Sequence, residues 1–386
     1  MKSIVIAGSL AQKPGRGGHS WVFLQYLLGF CQLGWEVLFV DRLEPEMCVD
    51  EAGQRVPAAE SWNLRYVTDV LRRFGLDDRF ALLCDGGSAT IGLSRRALIE
   101  RVRSAAALIN VMGFLNDEEI LASAQRRVFL DIDPGFGQMW CALGLHDPFR
   151  GHDAYVTIAQ NIGQPSCPIP TCNLDWITTP QPVVLDQWPS VGSAGASGPI
   201  TSVVSWRGAY GPVTYQGKTY GLRAREFRKF AALPLYCEGP FELALDIHPA
   251  DGADVALLRS SCWSLVTPQE VAGDPWCYRE YIRRSAAELL IAKGMYVETN
   301  SGWVSDRSIC YLASGRPVVA QDTGLANLLP TTEGLVTFAS CEQAIDAVRE
   351  VRRDPARHER AARRLAEAYF DSAVVLPRLL RKLDLN

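Results

Sequence analysis

The sequence predicts an α/β protein made of two doubly wound, mostly parallel sheets that face each other across a cleft. Three observations carry that expectation. The 386 residues exceed what one hydrophobic core commonly serves. The chain opens as strand, Gly-rich loop, helix and strand. The same alternation then restarts after a long stretch of small and turn-forming residues near position 190.

The first strand is "SIVIA" at 3–7, followed by the loop "GSLAQKPGRGGH", the helix-length apolar run "SWVFLQYLLGFCQL" and a second strand, "WEVLFVDR". The alternation continues through strand "RFALLC", helix "SRRALIERVRSA", strand "AALINVM", helix "DEEILASAQ" and strand "RRVFLDID", which the loop "PGFG" follows. Residues 187–200, "QWPSVGSAGASGPI", read as a linker. Beyond it come strand "ITSVVSW", the hairpin "PVTYQGKTYGL", helix "RAREFRKFAAL", strand "FELALDI", helix "ADVALLRSS" and strand "CWSLV". One long helix, "WCYREYIRRSAAELLIAKG", is expected next, then strand "MYVET", helix "DRSICYLAS" and strands "PVVA" and "GLVTF". The chain ends in successive helices, with a break expected at Pro377.

Hydrophobic residues at 48% and charged residues at 21% are the composition of a folded protein. A net charge of -4 gives no general attraction for nucleic acid or an anionic membrane, so an anion site must be local. The eleven Cys are scattered without a C-x-x-C pair and are expected to be reduced, mostly buried thiols. No window approaches the roughly 20 apolar residues of a membrane span and the N-terminal apolar run is short, so a cytoplasmic location is expected, without stable membrane insertion.

Several motifs invite a function and are weighed against plainer roles. "YQGKT" at 215–219 has the wrong glycine spacing for a phosphate loop, with Pro212 in the required place. "GRGGH" supplies Gly15, Gly17 and Gly18 before a helix, with Asp41 ending the next strand, but lacks the third glycine of a dinucleotide loop. It still lets a ligand approach backbone and helix N-terminus. His19 at that helix start is either a general base or a ring bonded to nearby backbone. In "DID", Asp131 and Asp133 end a strand; no second ligand cluster accompanies them, so no metal is expected, and Asp133 serves either the cleft or the Asp-Pro-Gly turn. The Trp in "QMWCALG" is either an apolar wall of the cleft or core.

The richest segment is "SGWVSDRSICYLASGRPVVAQDTG" at 301–324. Ser305 or Asp306 is placed to cap a helix that Gly315 ends. Its N-terminal amides, the hydroxyls of Ser301, Ser305 and Ser308, and the Arg307 guanidinium make a diphosphate cradle; the plainer reading is that Ser and Asp are caps only. Arg207, just past the first strand of the second sheet, is a second cation for the same anion. Asp322 and Thr323 are placed for sugar hydroxyls, and Thr267 with Pro268 for a nucleobase.

The run "YLASGRPVVAQDTG" is similar to the Ala-x-Gly-x-Pro-Val-Val-Ala motif of GT-B glycosyltransferases of types 1 and 4, which have two Rossmann-like domains facing a cleft. The resemblance implies an acceptor-binding domain over residues 1–190, a nucleotide-sugar-binding domain over 198–365 and a helix at 366–386 crossing back to the first. It implies a metal-independent transferase, without cofactor, acting on a nucleoside diphosphate sugar such as a UDP-sugar and a small-molecule or lipid-linked acceptor. Gly17, Gly18, Arg207, Thr267, Ser301, Gly302, Ser305, Arg307 and Ser308 would bind the donor, and Asp322, Thr323 and Gly324 its sugar. The paired Glu of retaining members are replaced by Gly302 and Cys310, so an inverting displacement with His19 or Asp133 as base is expected. Two rival functions are a nicotinamide-dependent oxidoreductase using the first Gly-rich loop and a non-catalytic nucleotide-binding protein.

Overall fold

The computed structural model describes residues 2–192 and 197–385, so positions 193–196 of the expected linker lie outside the described residues. Strands β1 (Ser3–Ala7), β2 (Glu36–Leu43), β3 (Phe80–Cys84), β4 (Ala89–Gly92), β5 (Ala107–Val111), β6 (Arg127–Asp131), β7 (Ala154–Thr157) and β8 (Trp176–Thr178) form one sheet. Its order is β4-β3-β2-β1-β5-β6-β7-β8. Every neighbour is parallel except β3 and β4. The central strands are continuous apolar runs because helices cover both faces. β4, the antiparallel edge, is partly exposed instead.

The second sheet takes β9 (Ile200–Ser205), β12 (Phe241–Asp246), β13 (Trp263–Val266), β14 (Ala287–Leu290), β15 (Val318–Gln321) and β16 (Leu335–Phe338), all parallel. Their order is β13-β12-β9-β14-β15-β16. Between β9 and β12 the expected hairpin is present, with β10 (Val213–Tyr215) and β11 (Lys218–Tyr220) joined at Gln216 and Gly217, both at positive φ. Strand order reverses at β1/β5 in the first sheet and at β9/β14 in the second, the places where doubly wound sheets open a crevice at their carboxyl ends.

The helix Gly17–Gln32 is apolar on nearly every side, as its position between elements of both halves requires. Trp21 donates its indole N–H to the Pro275 carbonyl at 2.9 Å. At Gly17 a Cβ would lie 2.0 Å from the Asp274 carbonyl oxygen, so only glycine admits this backbone approach. The helix Ser372–Lys382 closes the other side, its Leu376 and Ser372 lying against Gly29 while Val183 bridges Asp371. One apolar cluster consequently joins Trp21 and Phe136 to Tyr278, Met295, Trp303 and Leu376.

Four expectations need correction. "MYVET" belongs to the helix Gly294–Glu298, because Met295 packs on Gly135 and Tyr296 stacks on Trp303 at 4.1 Å, overriding its β-like composition. The long helix stops at Arg284 and "AELL" is β14, since a buried parallel strand and a buried helix are both unbroken apolar runs. "PGFG" opens the helix Phe136–Ala142, with Gly135 at φ +99 as its cap. The last helix runs through Pro377, losing one backbone bond while Val375, Leu376, Leu379 and Leu380 remain buried.

Gly17→Ala is expected to lower stability by about 1–3 kcal/mol through forced backbone displacement. Gly211→Ala, at open space, should fall within about 0.5 kcal/mol. Chemical denaturation of the two variants measures both; equal stabilities would remove the steric role of Gly17.

Candidate functional site

The cleft is built from loops at the carboxyl ends of both sheets. On the first sheet, residues 8–16 are pinned by the buried Asp41 carboxylate, which accepts from the Ala11 amide at 2.7 Å, the Gln12 side chain at 2.8 Å and the Arg42 amide at 2.7 Å. Asn63 holds the same loop by donating to the Ala11 carbonyl at 2.9 Å. Burial pushes the Asp41 carboxyl up to about 7 even against these bonds. The loop thereby fixes Lys13, Gly15 and Arg16 at the start of the helix Gly17–Gln32, whose first turn has no side-chain cap.

Facing it, the end of β9, the first residue of the helix Arg223–Phe230 and the helix Asp306–Ala313 line a cavity of about 220 Å³. Gly15, Arg16, Gly18, His19, Arg223 and Arg307 surround it, with Pro268, Gln269, Ala272 and Tyr278 at one side. Arg16 reaches Asp246 across the cleft at 3.1 Å. Arg307 is 8% exposed and bonds the Glu288 carboxylate and, at 2.6 Å, the Val203 carbonyl. Its Nη2 and the Nε of Arg223 have no hydrogen-bond partner among the described residues. Burial, with Arg307 close by, lowers the Arg223 guanidinium to about 10. Two guanidiniums, each with a donor unmet among the described residues, thus stand beside an uncapped helix start and make the cavity locally positive on a chain of net negative charge.

Next to this cavity Asp133 accepts from Lys293 Nζ at 2.7 Å and from the Tyr296 hydroxyl, joining the first sheet's loop to the second half. Behind it Asp131 accepts from Gln138 at 2.6 Å, Thr157 at 2.8 Å and the Asp133 amide at 3.1 Å. Burial raises the Asp131 carboxyl to about 6. The Lys293 ammonium also lies over the rings of Phe136 at 5.1 Å, Tyr296 at 5.3 Å and Tyr210 at 5.9 Å. Trp140 of "QMWCALG" packs edge-on against Tyr210 at 5.1 Å, within the same aromatic group.

His19 lines the cavity with Nε2 at 3.1 Å from the Ser9 carbonyl, an acceptor that fixes the proton on Nε2. The Ser9 hydroxyl lies 3.0 Å from the same nitrogen. Burial and the Lys13 charge depress the imidazolium to about 3. The ring is therefore neutral and weakly basic.

The other anticipated residues divide sharply. Gly17 and Gly18 meet the second half; a Cβ at Gly18 would lie 3.0 Å from the Tyr278 ring. Ser305 caps its helix by accepting from the Arg307 amide at 3.2 Å, and the Ser308 hydroxyl is buried without a partner among the described residues. Thr267 is exposed and precedes the short helix Pro268–Ala272 at the cavity's side. Arg207 turns away onto Asp251 at 2.8 Å, with 53% of its side chain exposed.

Ser301, Gly302, Thr323 and Gly324 are gathered instead around Asn161 of the first half. The Asn161 amide donates to the Ser301 carbonyl at 3.0 Å, and its side chain to the Asn300 and Gly324 carbonyls at 2.8 and 2.9 Å. Gly302 and Gly324, at φ +70 and +92, leave no room for a Cβ beside Asn161. Thr323 bonds the Trp303 carbonyl at 2.6 Å, and Asp322 caps the Gly324 and Leu325 amides at 2.9 and 3.0 Å. Sequence reading missed Asn161, Arg16, Arg223 and Lys293. Arg16 was visible inside "GRGGH", whereas Lys293 was hidden by the misread helix that contains it.

Two doubly wound sheets that meet at their switch points, with a terminal helix returned to the first, define the GT-B fold, and this chain has it. Neither a protein-family model nor a curated protein matches the chain. Among solved structures it is similar to AviGT4, a glycosyltransferase involved in avilamycin A biosynthesis, at TM-score 0.56 and 14% identity over 100% of this chain and 97% of that one. It is also similar to an alpha-glucosyltransferase in complex with UDP, at TM-score 0.59 and 11% identity over 100% of both chains. That enzyme is also known with UDP and DNA bound together. HepE of Anabaena in complex with UDP and glucose matches at TM-score 0.55 and 11% identity, again over 100% of both chains. Among the described residues no group of His, Cys, Asp and Glu is arranged to hold a metal ion, and no helix is long and apolar enough to cross a membrane.

Because His19 stays neutral in the folded protein while a free imidazole gains its proton near pH 6.5, stability attributable to it is lost as pH falls below that value. The stability of the wild type relative to His19→Gln is expected to drop by about 2 kcal/mol between pH 7 and pH 5. Denaturant titrations at both pH values measure it; a difference independent of pH would contradict the neutral, buried ring.

Proposed function

We propose that the protein is a glycosyltransferase that moves a hexose from a nucleoside diphosphate sugar to a hydroxyl of a small-molecule or lipid-linked acceptor. One observation carries this reading: Arg223 and Arg307, each with a donor unmet among the described residues, line the interdomain cavity of a GT-B fold together with an uncapped helix start. A diphosphate has the charge and the acceptor oxygens to satisfy that set. Pro268, Gln269 and Ala272 at the cavity's side are the proposed nucleoside contacts. The similar proteins crystallised with UDP support the same nucleotide.

In the proposed reaction the bond from the anomeric carbon to the diphosphate oxygen breaks, and the electron pair leaves with the diphosphate. Arg16, Arg223, Arg307 and the helix amides stabilise the charge that develops there, so the role is electrostatic. The acceptor oxygen forms the new bond and gives up its proton. Asp133 suits that proton better than His19. Its Oδ2 accepts from Lys293 and retains capacity for a second donor, whereas protonating His19 is opposed by burial and by Lys13. An inverting displacement is the favoured course, because Gly302 and Cys310 supply no carboxylate and are buried against Asn161 and Gln25. The oxidoreductase alternative loses its support: the Gly-rich loop spends its glycines on contact with Asp274 and Tyr278.

Calorimetric titration with UDP, dTDP, GDP and NADH tests this. At least one nucleoside diphosphate is expected to bind and NADH not to bind. Arg223→Ala is expected to weaken the bound nucleotide by about tenfold or more, the worth of one charged hydrogen-bonding group. Binding of NADH alone, or an affinity unchanged in Arg223→Ala, would refute the assignment. Arg307 is the poorer probe, since removing it strands the buried Glu288 carboxylate.

A further inference from the structure

Lys13 has no role in the fold or the proposed diphosphate site. It stands on the loop that Asp41 and Asn63 immobilise, half-buried, with its ammonium 5.7 Å from the Phe114 ring centroid. Among the described residues it has neither a hydrogen-bonded side-chain partner nor an ion pair. The charges that reach it are Arg16, Asp133, Lys293 and Asp41. The acids among them are engaged elsewhere: Asp133 holds Lys293 and Tyr296, and Asp41 holds Ala11, Gln12 and Arg42. Burial, with Arg16 next in weight, pushes the ammonium below its ordinary range, so its charge is held at a cost that a ligand can relieve.

We propose that Lys13 recognises an anionic group on the acceptor, a carboxylate or a phosphate, while the acceptor hydroxyl addresses Asp133. The inference rests on the glycosyltransferase reading and names its acceptor class. A lysine standing unpaired on a rigid loop suits a ligand's oxyanion as a point charge, without a fixed bidentate geometry. Phe114 lies against the ammonium, and the cations Arg16 and Lys293 act on it together with the already engaged Asp133 and Asp41. The loop anchors explain how this charge is positioned: Asp41 and Asn63 fix backbone two residues before it, at Ala11.

Glucose 6-phosphate, glucuronate and glucose are the probes, titrated by calorimetry into the UDP-saturated protein and into the Lys13→Gln and Lys13→Arg variants. At least one anionic sugar is expected to bind about tenfold or more tighter than glucose. Lys13→Gln should abolish that preference, Lys13→Arg should retain most of it, and UDP affinity should change by less than about threefold in both. Preference for the phosphate alone identifies a phosphorylated acceptor, and preference for glucuronate alone a carboxylate. Equal affinity of all three sugars, no measurable binding of any, or a preference that survives Lys13→Gln overturns the proposal. If UDP itself fails to bind, the donor assignment fails separately, and the same sugar titrations without UDP still decide the role of Lys13.

Discussion

Gly17 and the Asp274 carbonyl approach so closely that no side chain fits between them, and the placement of the cleft follows from that contact. The apolar helix behind Gly17 cannot slide, because Trp21 is bonded to Pro275 and Gly29 is pressed against Leu376 and Ser372. The switch points of two separate sheets are thereby brought face to face. On the opposite side Asn161 provides a second fixed point by satisfying three carbonyls of the other half. Backbone carbonyls buried at such a contact need partners, and one amide side chain meets most of the demand.

The charges of the cleft divide into met and unmet. Lys293 with Asp133 and Arg16 with Asp246 are pairs that cross between halves and hold them at a defined separation. The Arg223 Nε and the Arg307 Nη2 are left over, and so is the Lys13 ammonium on the neighbouring loop. Unmet buried donors are costly in a folded protein, and at a cleft a ligand can complete them. Under the proposed reading, Arg223 and Arg307 serve the sugar donor, Lys13 serves the acceptor, and Asp133 takes the proton.

Much of the architecture was legible because parallel strands buried on both faces appear as short apolar runs bounded by turns. The same physics concealed β14, whose "AELL" continued the apolar character of the preceding helix. "MYVET" misled through its β-branched and aromatic residues, which here fill a tertiary pocket against Gly135 and Trp303. The polar ends of segment 301–324 were expected to hold a diphosphate and its sugar, whereas the Asn300, Ser301 and Gly324 carbonyls accept from Asn161, a partner 139 positions from Asn300 that no local pattern announces. Of the cations expected at the anion site, Arg307 lines the cavity whereas Arg207 lies on Asp251. Strand position fixed which edge a residue occupies, and only packing decided where its guanidinium turned.

In the proposed function, the leftover donors at the cleft bind a nucleoside diphosphate. A crystal structure of the protein soaked with UDP tests it most directly. Phosphate density is expected within hydrogen-bond distance of Arg223, of Arg307 and of an amide in the first turn of the helix Gly17–Gln32. Phosphate density on Arg207 or Lys218, with the interdomain cavity unchanged, would contradict it.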